Sequence, residues 1–500
     1  MTRPVADTTY GKLQGAQSGG VNVWRGIPFA APPVGELRFR APQPPEPWDS
    51  VREAVEFGPA AHQPPSSSSI RFGGTQPVFS EDCLYLNVWA PAGEQEALPV
   101  MVWIHGGTFL TGAGSQPMFE GARMAEAGNV IVVTVNYRLG PFGFLHLSSF
   151  GPFESNLGLL DQIAALQWVQ DNIAGFGGDP KRVTVFGESA GSMSIAALLA
   201  MPAAQGLFSG AIMQSGAAQT LKPQLGAQIA AAFLAELGGD VNLLQAAPAQ
   251  DILAAAARTA YKLSGDSLSM LFQPLIDPAT LPVEPAEAVA GGCAAGIPLM
   301  IGTNLHEGHL FFRGDREGAG FDQSLKALEL MLGVGNLEEL ASHYPKNWEG
   351  QAALMTDLYF WDSSIAFAER QLPHAPVWMY RFDWTIPGHP LLDKAIHGAE
   401  IYYVFNTIDL LHQFGVSVNP EMAALAEQMQ AAWTAFAHRG SPEAAGLSWP
   451  AYAVDERATL IFGQHVHVQT DPDREKRERL LSAQTVFGQA AALESGEKPE

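Results

Sequence analysis

The stretch of this 500-residue chain richest in chemical possibility is Gly187-Glu188-Ser189-Ala190-Gly191, a G-x-S-x-G pattern. Arg182 to Phe186 before it reads as a short buried strand, and Ser192 to Ala200 after it as an apolar helix. A serine on such a strand-to-helix turn stands above the sheet edge at the positive end of the helix, where its hydroxyl can act as a nucleophile. Glycines flank it because the turn is too sharp for side chains on both sides. Five letters alone say little in a chain with 51 glycines, since an ordinary strand-loop-helix with a surface serine spells the same pattern. The strand leading in and the helix leading out give it chemical meaning.

A serine nucleophile needs a base and an acid that orients the base, and on a sheet of this kind they follow later strands in the order serine, acid, histidine. Pro298 to Ile301 runs into a loop that carries Glu307, and Pro376 to Trp384 precedes a loop that carries His397. Thirteen histidines are present, so position rather than type singles out His397. Asp277 and Asp315 compete with Glu307: the first precedes a proline with no buried strand before it, the second sits in a Gly/Arg-rich stretch. Charge developing on a carbonyl oxygen calls for fixed backbone donors. His105-Gly106-Gly107-Thr108-Phe109, at the end of the strand Val100 to Ile104, and the N–H of Ala190 can supply them. A plain glycine-rich turn after a strand is the competing reading of that loop. No metal site is expected: His465 and His467 form an i,i+2 pair with no carboxylate or thiol companion nearby. Gly175 to Pro180 lacks the spacing and the lysine of a phosphate loop.

The elements that must position these groups follow in order. Thr8–Gln14 and Val21–Ile27 suggest an antiparallel opening about Gly19-Gly20, then a proline-dense stretch to residue 48 and a surface loop over His62–Gly74 that could overhang the site. Leu84–Ala90, Pro99–Ile104 and Val130–Val135 are β-branched runs of the kind that parallel sheets bury on both faces. Asn156–Ile173 has helical spacing; Gly210–Gln214, Pro298–Gly302 and Pro376–Phe382 are further strands. Residues 419–438 predict an amphipathic helix and Ala458–Thr470 a final strand pair. The expectation is one α/β domain over 1–500, with a mostly parallel central sheet flanked by helices. Large helical insertions at about 223–297 and 310–372 are expected to build a lid and a pocket wall.

Composition agrees with a globular chain: 47% hydrophobic and 10% aromatic residues. A net charge of −23 repels nucleic acid and anionic membrane. Cys83 and Cys293, the only cysteines, show no disulfide or metal spacing. The first residues lack a signal-peptide core, and no apolar run reaches the ~18 residues of a membrane span, so a soluble cytoplasmic protein is expected.

With these residues in view, the chain resembles the type-B carboxylesterase/lipase family, and among its members the bacterial para-nitrobenzyl esterases, from about residue 5 to 485. The likeness rests on Glu81 to Val88, Trp103 to Gly107, Asn136 to Gly140, Phe186 to Ser192 and Ile212 to Gly216, in that order. It implies an α/β-hydrolase fold and a Ser189–Glu307–His397 triad. It also implies an oxyanion hole of Gly107, Thr108 and Ala190, with threonine where glycine is more usual. It implies further a second serine, Ser215, near the histidine, and internal ion pairs Arg38–Glu81 and Arg138–Asp161. Relatives often tie the cysteine at position 83 into a disulfide, and residues 50–82 hold no partner for it. Large apolar residues around the elbow, Phe109, Met193, Leu271, Phe272, Phe311, Phe312, Met355 and Leu358, are pocket candidates, each of which could equally be core.

An apolar site favours short-to-medium acyl or aryl esters. No tryptophan lies between Trp48 and Trp89 to hold a quaternary ammonium, so choline esters are not expected. The expected activity is serine carboxylesterase chemistry on a small-molecule ester, without cofactor, in a monomer or weak homodimer. The alternatives are carbamate, amide or lactone hydrolysis by the same groups and, more remotely, a binding protein of the same fold.

Overall fold

The computed structural model describes residues 3–64, 77–93, 97–265, 270–312, 320–332, 337–444 and 446–480. Most of the expected overhanging loop, residues 65–74, and the competing Asp315 lie outside the described residues.

An eleven-stranded sheet carries the molecule. Its strands are β1 (Ala16–Ser18), β2 (Val21–Pro28), β3 (Tyr85–Pro91), β4 (Leu98–Ile104), β5 (Ile131–Val135), β6 (Gly178–Glu188), β7 (Gly210–Gln214), β8 (Leu299–Asn304), β9 (Val377–Phe382), β10 (Ala458–Phe462) and β11 (His467–Thr470). Their spatial order is β11-β10-β9-β8-β7-β6-β4-β5-β3-β2-β1. From β10 through β5 all pairings are parallel. The strand order reverses at the β4/β6 pair, and a sheet of this type opens its binding crevice at the carboxyl ends of strands flanking such a reversal. Ser189 follows β6 and the His105–Phe109 loop follows β4, so the two candidate groups share that crevice.

Two corrections follow. β3, which covers the Leu84–Ala90 run, is antiparallel to both β5 and β2. A buried apolar run does not disclose strand direction, because burial on both faces is common to both arrangements. The opening segment also divides: Val5–Thr8 and Gly11–Gln14 form a hairpin that joins Arg52–Glu53 in a separate three-stranded sheet. The Gly19-Gly20 turn instead links β1 to β2. Gly11 makes the hairpin possible, since at φ 140° a Cβ there meets the Trp48 carbonyl oxygen at 2.4 Å.

The two-residue period of the strands sorts side chains into two cores. Val100, Val102, Ile104, Val183, Val185, Ala211 and Met213 face the layer containing the helices Leu157–Asn172 and Ala190–Ala200. Met101, Trp103, Phe186, Ile212 and Met300 face the other layer, where the helix Pro420–Arg439 packs with Leu425, Met429, Trp433 and Phe436. Where the sequence suggests insertions, the helices Pro223–Glu236, Ala249–Ser264, Phe321–Leu332, Trp348–Met355 and Ser363–Gln371 occur, the last two joined by a π-helical segment, Thr356–Asp362. The short helix at residues 474–480 ties to that segment: Lys476 Nζ is 2.9 Å from Asp357 Oδ1 and lies over the Trp361 ring at 4.6 Å. Among the described residues no helix is long and apolar enough to cross a membrane.

Candidate active site

The turn at Ser189 is strained in a way the local packing enforces. Its backbone sits at φ 56°, ψ −122°, a region costing about 1–3 kcal/mol for a residue with a side chain. The Ser189 N–H donates to Gln214 O at 2.9 Å, and the Met193 N–H donates to Ser189 O at 2.9 Å, so strand and helix hold the bend from both sides. The flanking glycines are required by close approach to β4: a Cβ on Gly191 meets Ile104 O at 1.9 Å, and one on Gly187 meets the same oxygen at 2.7 Å. Ala190 opens the helix, so its N–H has no intrahelical acceptor.

On the facing loop, Gly107 has φ 115°, and Thr108 and Phe109 both have φ 57°. The Gly107 carbonyl turns into its own loop, accepting from Leu110 N and Thr111 N. The Thr108 hydroxyl donates to the same oxygen at 2.7 Å. That bond gives the branched side chain a local partner in a left-handed conformation that threonine adopts at a cost. The Phe109 ring does not stand free; it is fully buried, 4.7 Å from the Phe144 ring.

His397 and Glu307 meet although 90 residues separate them: His397 Nδ1 is 2.6 Å from Glu307 Oε2. Glu307 is completely buried, and its other oxygen accepts from the Asn304 N–H at 2.6 Å. On the far side of the ring, His397 Nε2 lies 3.0 Å from Glu188 Oε1. Gly106 leaves room for that second carboxylate, since a Cβ there meets Glu188 Oε2 at 2.5 Å. Burial pushes Glu188 up to about 8, against the pull of His397. Burial opposes a charge on His397 too, but Glu188 and Glu307 outweigh it and raise the imidazole to about 9. The imidazole lies beside Phe360 at 4.7 Å and Phe311 at 5.2 Å, two parallel rings stacked on each other at 6.2 Å. Asp277 is occupied elsewhere, accepting from Ala279 N and Thr280 N in its own turn.

The remaining candidates fall into distinct places. Ser215 is buried at φ 55°, its N–H donating to Gly302 O at 2.8 Å and its hydroxyl without a partner among the described residues. Met193, one helical turn after Ser189, lies 3.8 Å through its sulfur from the Tyr359 hydroxyl, which also meets Met270 Sδ at 3.2 Å. Leu271 and Phe272 are buried immediately after Met270, and Leu358 is buried on the π-helical segment beside Tyr359. Phe312 and Met355 line an apolar cleft with Phe321, Leu325, Leu328 and Leu354, a lining that does not include His397. The ion pairs Arg38–Glu81 and Arg138–Asp161 are both formed. Cys83 and Cys293 are unpaired thiols.

Sequence reasoning missed Glu188, Asn304, Phe360 and Glu400. The first was readable as the residue beside the serine, and Glu400 as a carboxylate three positions after His397. Phe360 had no signal, because a π-helical turn changes which residues face inward.

A model of the carboxylesterase family matches residues 2–480. Para-nitrobenzyl esterase of Bacillus subtilis is 49% identical over 486 residues, covering 96% of this chain and 99% of the relative. Phenmedipham hydrolase of Pseudarthrobacter oxydans is 34% identical, covering 93% and 96% of the two chains. Among solved structures, a thermophilic PNB esterase superposes with a TM-score of 0.91 at 48% identity, covering 96% of this chain and 100% of that one. A carboxylesterase of Geobacillus stearothermophilus gives a TM-score of 0.83 at 40% identity, covering 95% and 100%.

Proposed function

This chain belongs to the carboxylesterase family and has the α/β-hydrolase fold, and on that premise we propose that Ser189, His397 and Glu307 hydrolyse carboxylic esters through an acyl-enzyme. The protein is a carboxylic ester hydrolase; the roles of individual residues are inferred as follows. His397 takes the Ser189 proton through Nε2 as Oγ attacks the ester carbonyl. Glu307, held at Nδ1, stabilises the imidazolium that forms. The N–H groups of Gly107, Thr108 and Ala190 receive the oxyanion; each donor of this kind contributes about 2.7–4 kcal/mol to the transition state. The imidazolium returns its proton to the departing alcohol. Water then repeats the cycle on the acyl-enzyme, with His397 again as base.

The 2.6 Å contact between His397 and Glu307 carries this reading, because it joins two loops that only the parallel order of β8 and β9 makes neighbours. The Phe311 and Phe360 rings around the imidazole favour an apolar ester, with short-to-medium acyl or aryl groups as the substrate class.

Steady-state hydrolysis of para-nitrophenyl acetate, butyrate and octanoate by wild type and Ser189→Ala tests the assignment. Turnover is expected to fall by about four orders of magnitude or more in the variant, with a chain-length optimum in the wild type. Retained turnover rules out Ser189 as the nucleophile.

A further inference from the structure

Behind the triad lies a second hydrogen-bonded chain on the sheet face that packs against the helix Pro420–Arg439. Trp433, on the helix Pro420–Arg439, donates Nε1–H to Gln214 Oε1 at 2.9 Å. Gln214 Nε2 then donates to Glu400 Oε1 at 3.1 Å. Asn304 Nδ2 donates to the other Glu400 oxygen at 2.6 Å and to Ile396 O at 2.7 Å. The Asn304 backbone N–H is the donor that holds Glu307. Trp433, Gln214, Asn304, Glu400 and Glu307 are all buried.

Each amide in this chain has one permitted orientation. Indole N–H can only donate, so Gln214 must turn its oxygen to Trp433 and its nitrogen to Glu400. A backbone carbonyl can only accept, so Asn304 must turn its nitrogen to Ile396 O, and the same nitrogen serves Glu400. Asn304 Oδ1 is left buried without a partner among the described residues. Flipping the amide would set that oxygen against two acceptors, which costs more than leaving it unpaired. Glu400 therefore faces donors at both oxygens, directly behind the loop that carries His397. Glu307, His397, Glu188 and Tyr380 are the titratable groups that act on it.

Building on the Ser189–His397–Glu307 assignment, we propose that Asn304 is a positioning residue of the esterase. Its side chain clasps the His397 loop on both sides of the histidine, at Ile396 and Glu400, while its main chain holds Glu307. Trp433, on the helix covering this sheet face, sets the clasp through Gln214. The triad geometry thus depends on an indole N–H that contacts neither substrate nor imidazole.

The test compares Asn304→Leu and Trp433→Phe with wild type for kcat and KM on para-nitrophenyl butyrate. It also follows the downfield proton resonance of the His397 Nδ1–H···Glu307 bond, assigned by its loss in His397→Ala. Asn304→Leu is expected to lower kcat at least about tenfold with KM little changed, because a small misplacement of reacting groups is costly. The resonance should shift or broaden away. Trp433→Phe should move both quantities in the same direction by less. A folded Asn304→Leu with wild-type kcat and resonance overturns the proposal, as does a kcat loss that tracks only thermal stability while the resonance stays in place. If Asn304→Leu does not fold, Trp433→Phe and Gln214→Met decide by the same two readouts. Retained turnover in His397→Ala instead refutes the underlying triad assignment.

Discussion

At the scale of single residues, the unusual feature is an imidazole with a carboxylate at each nitrogen. Glu307 sits at Nδ1 and Glu188 at Nε2, both closer than 3.1 Å. A base must be unprotonated to act, and both carboxylates favour the protonated ring, so they push the acid limb of kcat/KM upward in pH. Activity should accordingly fall as pH drops from the alkaline side, starting above the ordinary histidine range. Glu188→Gln removes one of the two charges and should move that limb down by about one pH unit or more. Hydrolysis of para-nitrophenyl butyrate followed at the isosbestic wavelength from pH 5 to 10 measures the shift. An unmoved limb would show that Glu188 carries no charge that His397 feels.

At the scale of elements, the β6 turn shows why the G-x-S-x-G glycines are there. Chain direction alone does not demand them; the carbonyl of Ile104 on β4 occupies the space where their side chains would be. Gly191→Ala forces a Cβ within 1.9 Å of that oxygen, and neither strand β4 nor the helix Ala190–Ala200 can retreat without breaking core contacts. A loss of at least about 3 kcal/mol is expected in denaturant unfolding. Gly388→Ala is the matched control: its φ is +79° with open space around it, so only the backbone conformation is penalised, by about 1 kcal/mol. Equal losses in the two variants would remove steric approach as the cause.

At the scale of the whole molecule, Arg138 and Asp161 join the end of β5 to the helix Leu157–Asn172 and to the proline-dense segment near residue 40. Arg138 donates Nε and Nη2 to Asp161 and Nη1 to Arg40 O, and the Arg138 N–H also donates to Asp161. Neither side chain is more than 4% exposed. Asp161→Ala leaves a buried guanidinium without its counter-charge and should destabilise the fold by about 3–5 kcal/mol. The pair touches none of the triad, so kcat of the folded fraction should be unchanged. Combining Arg138→Met with Asp161→Leu should recover much of the stability, since an apolar pair needs no compensation. Urea midpoints for the three chains decide; a double variant as weak as the single one would mean the pair contributes net stability.

The sequence by itself marked the elbow serine, the glycine loop after β4 and, in chain order, the Glu307 and His397 loops that the fold brings together. Each rests on a pattern carried along the chain: glycines about a serine between strand and helix, a strand of β-branched residues, a loop after a strand. It also marked the Arg38–Glu81 and Arg138–Asp161 pairs through resemblance to relatives. It did not determine the direction of β3, because an apolar run is indifferent to whether its neighbours are parallel. Nor could it separate Phe311, beside the imidazole, from Phe312, which lines the apolar cleft with Phe321 and Leu325: adjacent residues of one type diverge only once the backbone path is fixed. The placement of Glu188 against His397, and of Trp433 behind Glu400, was decided by tertiary structure alone. Glu188 meets His397 directly and Trp433 reaches Glu400 through Gln214, and both arrangements exist only where parallel strands align their carboxyl ends and the helix Pro420–Arg439 covers one face of the sheet.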